Sequence, residues 1–410
     1  MLLSKTAAMK RYISARPTFY LRQVLPANKR DSNIFPLNIG KCRYFYSSRY
    51  AFAAAIVGLR LQPGDQILVP SYNCGAEIDP VLHVGVEPVF YRIKRDLSVD
   101  IDDFLQKAGA GAKAALVTHF FGFPQQLDEI KEICIKKNLP LIEDCAHALM
   151  SVHKGRPLGS YGDASFFSFM KSLPVPNGGA LIVNSGDFSG AANGLRPSVP
   201  GTLFYSAELL MDRTWDDGYT TKQAALRIVN TGSYFSARTA KLFVAAFRKI
   251  FNPKALYLVR PDTYSFMREL ATWGISRISM NIINNTDFEM AARVRRRNFE
   301  YLLDYFATNQ RLILPFRHLP SGVCPLFFPI ILDNGRVRQT LYESLKRAGI
   351  ITHPWWHRFH PHVPWTDYPD AVYLKERLFG LPIHQDLSLR HLDVVMEQFD
   401  KHYHALIKYS

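Results

Sequence analysis

The strongest constraint on the fold of this chain is the alternation of strand-like and helix-like segments between residues 40 and 185. The alanine-rich segment at 51–61 and the segment at 126–138 have the apolar spacing of helices. Short apolar runs typical of buried strands lie around them, at "GDQILVPS" (64–71), "EPVFYRI" (87–93), "AALVTHFFG" (114–122), "LPLIEDCAHA" (139–148) and "GGALIVN" (178–184). Strands that alternate with helices predict an α/β protein with a mostly parallel sheet, because parallel strands need crossover connections.

Three regions are predicted along the 410 residues. Residues 1–39 are predicted to form a basic extension, since the first thirty hold seven basic side chains and no acidic one. Residues 40–275 are predicted to form a large domain, in which the mostly helix-like segment 186–275 is interpreted as an insert. Residues 276–410 are predicted to form a connecting helix and a smaller α+β domain, with a strand at "LFFPIIL" and a helix at "RQTLYESLKRAG".

Charge and cysteine content indicate which partners and which cellular compartment suit this chain. The net charge of +15 suits phosphate-bearing substrates or an anionic membrane surface, but no nucleic-acid-binding motif accompanies it, so no nucleic-acid partner is expected. Five scattered cysteines without a CxxC pair argue against a disulfide framework and a metal site, and they favour a reducing compartment, the cytoplasm. No apolar run reaches the roughly 18 residues that a membrane-spanning helix needs.

The segment "FSFMKSLPVPNGGA" places one lysine, Lys171, between a strand-like run and two prolines followed by two glycines. A positioned lysine amine forms Schiff bases with aldehydes. A pyridoxal phosphate (PLP) site also needs a carboxylate for the ring nitrogen and an anion-binding helix N-terminus. Asp144 lies at a strand end 27 residues before Lys171, while Ser47, Ser48 and Tyr50 precede a helix. Taken alone, a lysine is more often solvated at the surface, and an aspartate or serine at such a position is more often a helix cap. The ordered set predicts a PLP site beyond the carboxyl ends of the strands.

Several segments resemble the DegT/DnrJ/EryC1/StrS aminotransferases, which are fold-type-I PLP enzymes acting on nucleotide-linked keto sugars. The resemblance covers roughly 40–185 and 285–400. It is carried by "SSRYAFAAAIVGLRLQPGDQILVPSY", "GVEPVFYRI", "VTHFFGFP", "IEDCAHALMSVHKGRPLGSYGDASFFSF", "RAGIITHPWWHRFH" and "LFGLPIHQDLS". It implies a mostly parallel seven-stranded sheet flanked by helices and a smaller C-terminal α+β domain.

The resemblance also implies roles for individual residues. Lys171 would form the Schiff base with PLP and shuttle the proton of the substrate carbon, and Asp144 would pair with the pyridinium nitrogen. His147 stands where the family usually has Gln and would contact the 3′ oxygen. Further cofactor contacts would come from Ala146, Ser168, Tyr50, Ala51, Ser48, Tyr72, Cys74 and His119, and substrate contacts from His360, Trp355 and Asn177.

The sequence departs from the family pattern at several places. Lys171 comes two residues after Phe169, where the family commonly has about four. Asn177 replaces a Glu, and Trp355 replaces a His of the substrate loop. Cys74 replaces an aromatic residue that stacks on the cofactor, so either Tyr72 or His119 would cover that face. These departures indicate a divergent member whose phosphate cup and acceptor pocket differ from those of its relatives.

The resemblance implies an aminotransferase that moves an amino group, with glutamate as the expected donor, to a nucleotide-linked keto sugar for surface-polysaccharide or secondary-metabolite synthesis. Related dehydratases replace the lysine with His, so Lys171 argues against dehydration. A lipid-linked acceptor at a membrane is an alternative, since the basic segment at 237–260 could lie on an anionic bilayer. A non-catalytic regulatory homologue is another.

The resemblance further implies a homodimer in which each site is completed by the partner chain. The segment "RISMNIINN" at 277–285 would reach across, with Asn281, Asn284 or Asn285 at the neighbour's phosphate.

Overall fold

The computed structural model describes residues 12–26, 34–39, 42–185, 195–197, 199–212 and 266–407. Its first nine strands are β1 (Arg43–Phe45), β2 (Gln66–Pro70), β3 (Glu87–Tyr91), β4 (Ala114–Thr118), β5 (Leu141–Asp144), β6 (Val152–His153), β7 (Arg156–Pro157), β8 (Ala164–Ser168) and β9 (Gly179–Val183). Seven of them form one sheet in the order β1-β9-β8-β5-β4-β2-β3, and β6 pairs with β7. Only β9 of the seven runs against its neighbours, so the prediction of a mostly parallel seven-stranded sheet is confirmed.

Helices connect and cover these strands. They are α1 (Ser48–Gly58), α2 (Ile78–His83), α3 (Ile101–Ala108), α4 (Leu127–Lys136), the helical turn α5 (Phe169–Ser172) and α6 (Val199–Met211). Helix α4 buries Ile130, Ile133 and Cys134, as its periodicity predicted. Helix α1 begins three residues before the predicted segment, because the extended backbone of Ser47 provides its N-cap. The predicted insert is described only in its parts 195–197, 199–212 and 266–275, and the basic segment 237–260 lies outside the described residues.

The C-terminal third forms a second, antiparallel sheet with helices around it. Its elements are α7 (Arg277–Asn284), α8 (Phe288–Phe306), β10 (Phe327–Ile331), α9 (Gly335–Arg347), β11 (His353–Pro354), α10 (Pro369–Arg377), β12 (Leu378–Pro382) and α11 (Leu389–Ile407). The sheet order is β10-β12-β11. One apolar cluster joins Leu68 and Val117 of the large sheet to Ile330 and Phe379 of the small one. This shared core brings the loop after β11 toward the carboxyl ends of the parallel strands.

The described part of the basic extension, residues 12–26, packs on the body of the chain. Ile13 bridges to Ile350, and the Thr18 amide donates to the Asp386 carboxylate at 2.8 Å. The side-chain amides of Asn281 and Asn285 donate to main-chain carbonyls in the turn at residues 23–25. In this chain these two asparagines therefore anchor the N-terminal segment.

Within the described ranges, no helix combines the length and the apolar character that crossing a bilayer requires.

Gly179 allows β9 to pass close to the N-terminus of α1. A Cβ at this position would lie 2.4 Å from main-chain atoms of Ser47 and Ser48. We expect Gly179→Ala to lower the free energy of unfolding by about 3 kcal/mol, because the main chain of Ser47 and Ser48 would have to shift to make room for the Cβ. Urea denaturation followed by far-UV circular dichroism measures this change. Gly109→Ala is the matched control, since its Cβ would meet atoms no closer than 3.5 Å. Equal losses of unfolding free energy in the two variants would contradict the inference that Gly179 is needed for this close main-chain contact.

Candidate functional site

Lys171 lies in the helical turn α5, directly after the carboxyl end of β8. The Phe169 amide donates to the Gly178 carbonyl at 3.1 Å, which closes the loop that carries the lysine. The half-buried Lys171 side chain points inward: its Nζ lies 2.8 Å from Nε2 of His147 and 5.7 Å from the ring centroid of Trp356. The lysine that the sequence singled out is therefore aimed into the body of the chain.

Asp144 is the last residue of β5, and its carboxylate is buried at the same end of the sheet. It accepts hydrogen bonds from the Ala146 amide at 2.8 Å and from the Thr118 hydroxyl at 3.4 Å. Burial raises the pKa of Asp144 to about 7, the negative charge of Glu77 adds to the rise, and the charge of Lys171 opposes it. A cation brought beside this carboxylate would favour its ionised form.

His147 joins the lysine to the turn after β4. Its Nδ1 accepts a hydrogen bond from the Phe121 amide at 3.2 Å, so the hydrogen-bond network assigns the proton of the neutral ring to Nε2. Burial lowers the pKa of His147 well below its usual range, and the positive charge of Lys171 lowers it further. His147 is thus held as an uncharged imidazole whose Nε2 faces Lys171 Nζ.

The turn after β2 contributes Tyr72, Cys74 and Glu77. The fully buried Tyr72 ring lies 5.1 Å from the ring of Trp356, centroid to centroid. The Cys74 thiol donates to the Glu77 carboxylate at 3.1 Å. Burial, together with the charge of Glu77, raises the pKa of the Cys74 thiol, and the charge of Lys171 acts in the opposite direction. Cys74 therefore remains a thiol near the lysine.

His119 belongs to a separate buried network. Its Nε2 lies 3.0 Å from the Glu143 carboxylate, which also accepts from the main-chain amides of Gly159, Tyr161 and Gly162. Adjacent residues of a strand face opposite sides of the sheet, so Glu143 draws the His119 ring away from the side of Asp144. Of the two aromatic candidates for the cofactor face, Tyr72 is the one whose ring contacts Trp356. His119, Glu143 and Cys145 come close enough to ligate a metal ion, but the Glu143 oxygens are already used in this network.

The N-terminus of α1 forms a cradle with the ends of β8 and β9. Ser168 pairs with Gly179 across these strands, and Gly179 contacts the main chain of Ser47 and Ser48. The Ser47 hydroxyl is buried without a hydrogen-bond partner and makes no capping bond. A buried, unused hydroxyl at a helix N-terminus fits an anion such as a phosphate group.

Tyr50 and Ala51 lie in the first turn of α1. Their amides donate to the Ser47 carbonyl at 3.2 and 3.4 Å, so both are used inside the helix. The Tyr50 ring packs on Phe266, 5.0 Å away. The side chain of Tyr50 is therefore directed toward the residues around Phe266.

Trp355 and Trp356 come from the loop after β11. Trp355 is buried, its ring centroid lies 5.2 Å from that of His147, and its Nε1 is buried without a partner. Trp356, which the sequence did not single out, also lies 5.2 Å from His147. The tandem "WW" at 355–356 is the sequence feature that points to Trp356.

His360 and Asn177, the other predicted substrate residues, are held by neighbouring helices. His360 Nε2 lies 3.0 Å from the Asp79 carboxylate on α2. The Asn177 side-chain carbonyl accepts from the Ser276 amide and the Ser279 hydroxyl, while its Nδ2 is buried without a partner. These contacts fix both residues without bringing them into hydrogen-bond contact with Lys171.

Arg295 holds the turn that carries Lys171, and no motif in the sequence marks this arginine. It lies on α8, is buried, and its Nη2 donates to the Ser172 carbonyl at 3.1 Å. In the sequence it is one of several arginines on a charged helix, and periodicity alone does not show which of them turns inward.

Residues 45–199 match the model of the DegT/DnrJ/EryC1/StrS aminotransferase family. The GDP-perosamine synthase of Vibrio cholerae is 30% identical over 139 residues, which is 33% of this chain and 38% of that relative. The chain thus aligns with well under half the length of this curated relative. The residues that match the family model include Asp144, at the end of β5, and Lys171, in α5.

The fold extends the likeness to almost the whole chain. The Helicobacter pylori PseC structure, an aminotransferase involved in the biosynthesis of pseudoaminic acid, superposes with a TM-score of 0.63 at 15% identity, covering 97% of this chain and 100% of that one. The E. coli GDP-4-keto-6-deoxy-D-mannose-3-dehydratase with bound hydrated PLP superposes with a TM-score of 0.60 at 18% identity, covering 87% of each chain. Residues 45–199 of this chain are therefore similar to the DegT/DnrJ/EryC1/StrS aminotransferase family, and the chain as a whole shares the fold of these solved structures.

Proposed function

We propose that this chain is a PLP-dependent aminotransferase that moves an amino group from an amino acid, with glutamate as the expected donor, to a keto sugar carried on a nucleotide. The observation that carries the proposal is the meeting of Lys171, neutral His147 and buried Asp144 at one end of the parallel sheet. The cradle at the N-terminus of α1 supplies a place for the phosphate.

Each reactive or polar group of PLP has a candidate partner among the side chains of the site. When bound, PLP supplies an electron-withdrawing ring that stabilises negative charge on the substrate carbon. Lys171 Nζ would hold the cofactor covalently and take and return the proton of that carbon. The Asp144 carboxylate would keep the ring nitrogen protonated, and His147 Nε2–H would donate to the ring oxygen. Ser47 and Ser168 would contact the phosphate.

Three observations support a nucleotide-linked keto sugar as acceptor. The V. cholerae relative is named a GDP-perosamine synthase, and the H. pylori neighbour is named an aminotransferase involved in the biosynthesis of pseudoaminic acid. The net charge of +15 suits an acceptor that carries a diphosphate. Although one structural neighbour is a dehydratase, Lys171 favours amino transfer, because the cycle needs an amine that can take the cofactor back.

The colour of the protein tests the proposal directly. Purified with PLP, the protein is expected to be yellow, to bleach when L-glutamate is added, and to recover when the correct keto-sugar nucleotide follows. Mass spectrometry of the acceptor panel would then identify the aminated product. A protein that stays colourless with PLP, or whose colour responds to no amino acid, would refute the proposed function.

We also propose that the enzyme is a cytoplasmic homodimer whose large domain spans residues 40–275 and whose small domain spans 276–410. The two sheets, at 43–183 and 327–382, support this division. Light scattering after size-exclusion chromatography is expected to give twice the chain mass of 46.8 kDa. A fully active monomer would contradict the dimer.

His147 offers a sharper test of the donor role. His147→Gln keeps an N–H donor, whereas His147→Leu removes it, so we expect Leu to slow the half-reaction with L-glutamate by about 10–100-fold and Gln to slow it far less. Stopped-flow absorbance measures both rates. Similar losses in the two variants would show that the donor is not what matters at this position.

A further inference from the structure

Lys375 is a buried lysine that the proposed function does not use. It lies on α10 and has no exposed surface. Burial lowers the pKa of its ammonium group to about 8; the negative charge of nearby Glu77 opposes this shift, and the positive charge of Arg338 adds to it. Holding a cation in this place costs free energy that a packed apolar residue would not. Stability of the fold therefore does not account for a lysine here.

The ammonium group of Lys375 makes three hydrogen bonds to main-chain carbonyls. Nζ donates to the carbonyls of Asn73 at 2.8 Å, Trp356 at 3.0 Å and Arg358 at 2.6 Å. An ammonium group has three N–H donors, so all of them are used. The ring centroid of Trp365 lies 4.6 Å from Nζ, which adds a cation–π contact. A neutral side chain of the same length could not make this set of contacts.

The three carbonyls belong to two loops that border Lys171. Asn73 lies in the turn after β2, between Tyr72 and Cys74. Trp356 and Arg358 lie in the loop after β11, and the Trp356 ring is 5.7 Å from Lys171 Nζ. Trp356 also has a φ of 49°, a left-handed conformation that a tryptophan adopts only when its surroundings hold it there.

We infer that Lys375 is a positioning residue that clamps the turn at 71–75 to the loop at 355–360 and thereby holds the Trp356 ring beside Lys171 and His147. The clamp itself is a property of the fold. Its effect on catalysis rests on the proposed function, so the two need separate measurements.

Hydrogen–deuterium exchange on the cofactor-free protein tests the clamp. We expect Lys375→Met to speed amide exchange at least about tenfold in peptides covering 71–75 and 355–363, and to leave β4 and β5 unchanged. Lys401→Met, at an exposed lysine of α11, is the matched control and is expected to change neither. Wild-type exchange in both loops of Lys375→Met, or an equal increase across the whole chain, would overturn the inference.

A double-mutant cycle then tests the link to chemistry. We expect Lys375→Met to lower kcat/KM for L-glutamate about tenfold in the wild-type background and less than about twofold in Trp356→Ala, because the clamp acts through that ring. Effects that multiply in the double variant would overturn a role through Trp356. If the wild type neither binds PLP nor transfers an amino group, the proposed function fails, and the exchange result still decides whether Lys375 clamps the loops.

Discussion

Lys171→Ala is expected to abolish amino transfer, with a loss of about 10⁴-fold or more in kcat. The variant loses the amine that would bind the cofactor covalently and the proton carrier at the substrate carbon, and proton carriers of this kind contribute up to about 10⁴-fold. The measurement is steady-state formation of the aminated sugar, together with the absorbance spectrum after exhaustive dialysis. The variant is expected to lose its yellow colour on dialysis, while the wild type keeps it.

The control for this prediction is Lys113→Ala, which removes an exposed lysine just before β4. It is expected to retain both colour and activity. Lys171 would lose its assigned role if the Lys171→Ala protein stayed yellow after dialysis or still turned over at a rate within about tenfold of the wild type.

Asp144→Asn is expected to lower kcat by about 10²–10³-fold with little change in shape. The amide has the size of the carboxylate but cannot carry the charge that a protonated ring nitrogen would need, and breaking a buried ion pair costs about 3–5 kcal/mol. Stopped-flow measurement of the half-reaction with L-glutamate gives this change. A variant with the wild-type rate would show that Asp144 does not pair with the ring.

The cofactor-free protein gives a second test of Asp144, with a definite sign. Burial raises its pKa to about 7 in the folded chain, against the usual 3.8 of an aspartate, so between these pH values the folded state binds a proton that the unfolded state has released. Stability contributed by the protonated group is therefore lost as the pH rises through this window. Asp144→Asn has no group to ionise. We expect its melting temperature to exceed that of the wild type near pH 8 and the difference to shrink near pH 5. A difference independent of pH would contradict the assignment.

The sequence predicted the parts of the site that local patterns encode. The strand ends at Asp144 and Ser168 follow from short apolar runs, and the position of Lys171 follows from the loop that succeeds them. Arg295, Trp356 and Lys375 were missed because their roles depend on which way a side chain turns in the assembled fold. Arg295 and Lys375 sit on helices where a basic residue is usually solvated, and only the packing of α8 and α10 against the sheets shows that both are buried.

The N-terminal segment illustrates the same limit. A run of basic residues predicts an extension, yet Ile13 and Thr18 are buried against the C-terminal third. The partners of these residues lie more than 330 positions away in the chain, at Ile350 and Asp386. No local pattern connects residues at such separations, so this contact could be found only in the folded molecule.

The close approach of Gly179 to the start of α1 has a consequence for how this site can diverge. The cradle is fixed by main chain against main chain, so its position relative to the sheet does not depend on which side chains surround it. The two tryptophans that border the other side of Lys171 sit on a loop held by side-chain contacts, chiefly those of one lysine. Substitutions can therefore accumulate in that loop and change which molecules fit there while the anion cradle stays where it is. We therefore expect related chains to keep the anion cradle and to differ in the loop that carries the two tryptophans.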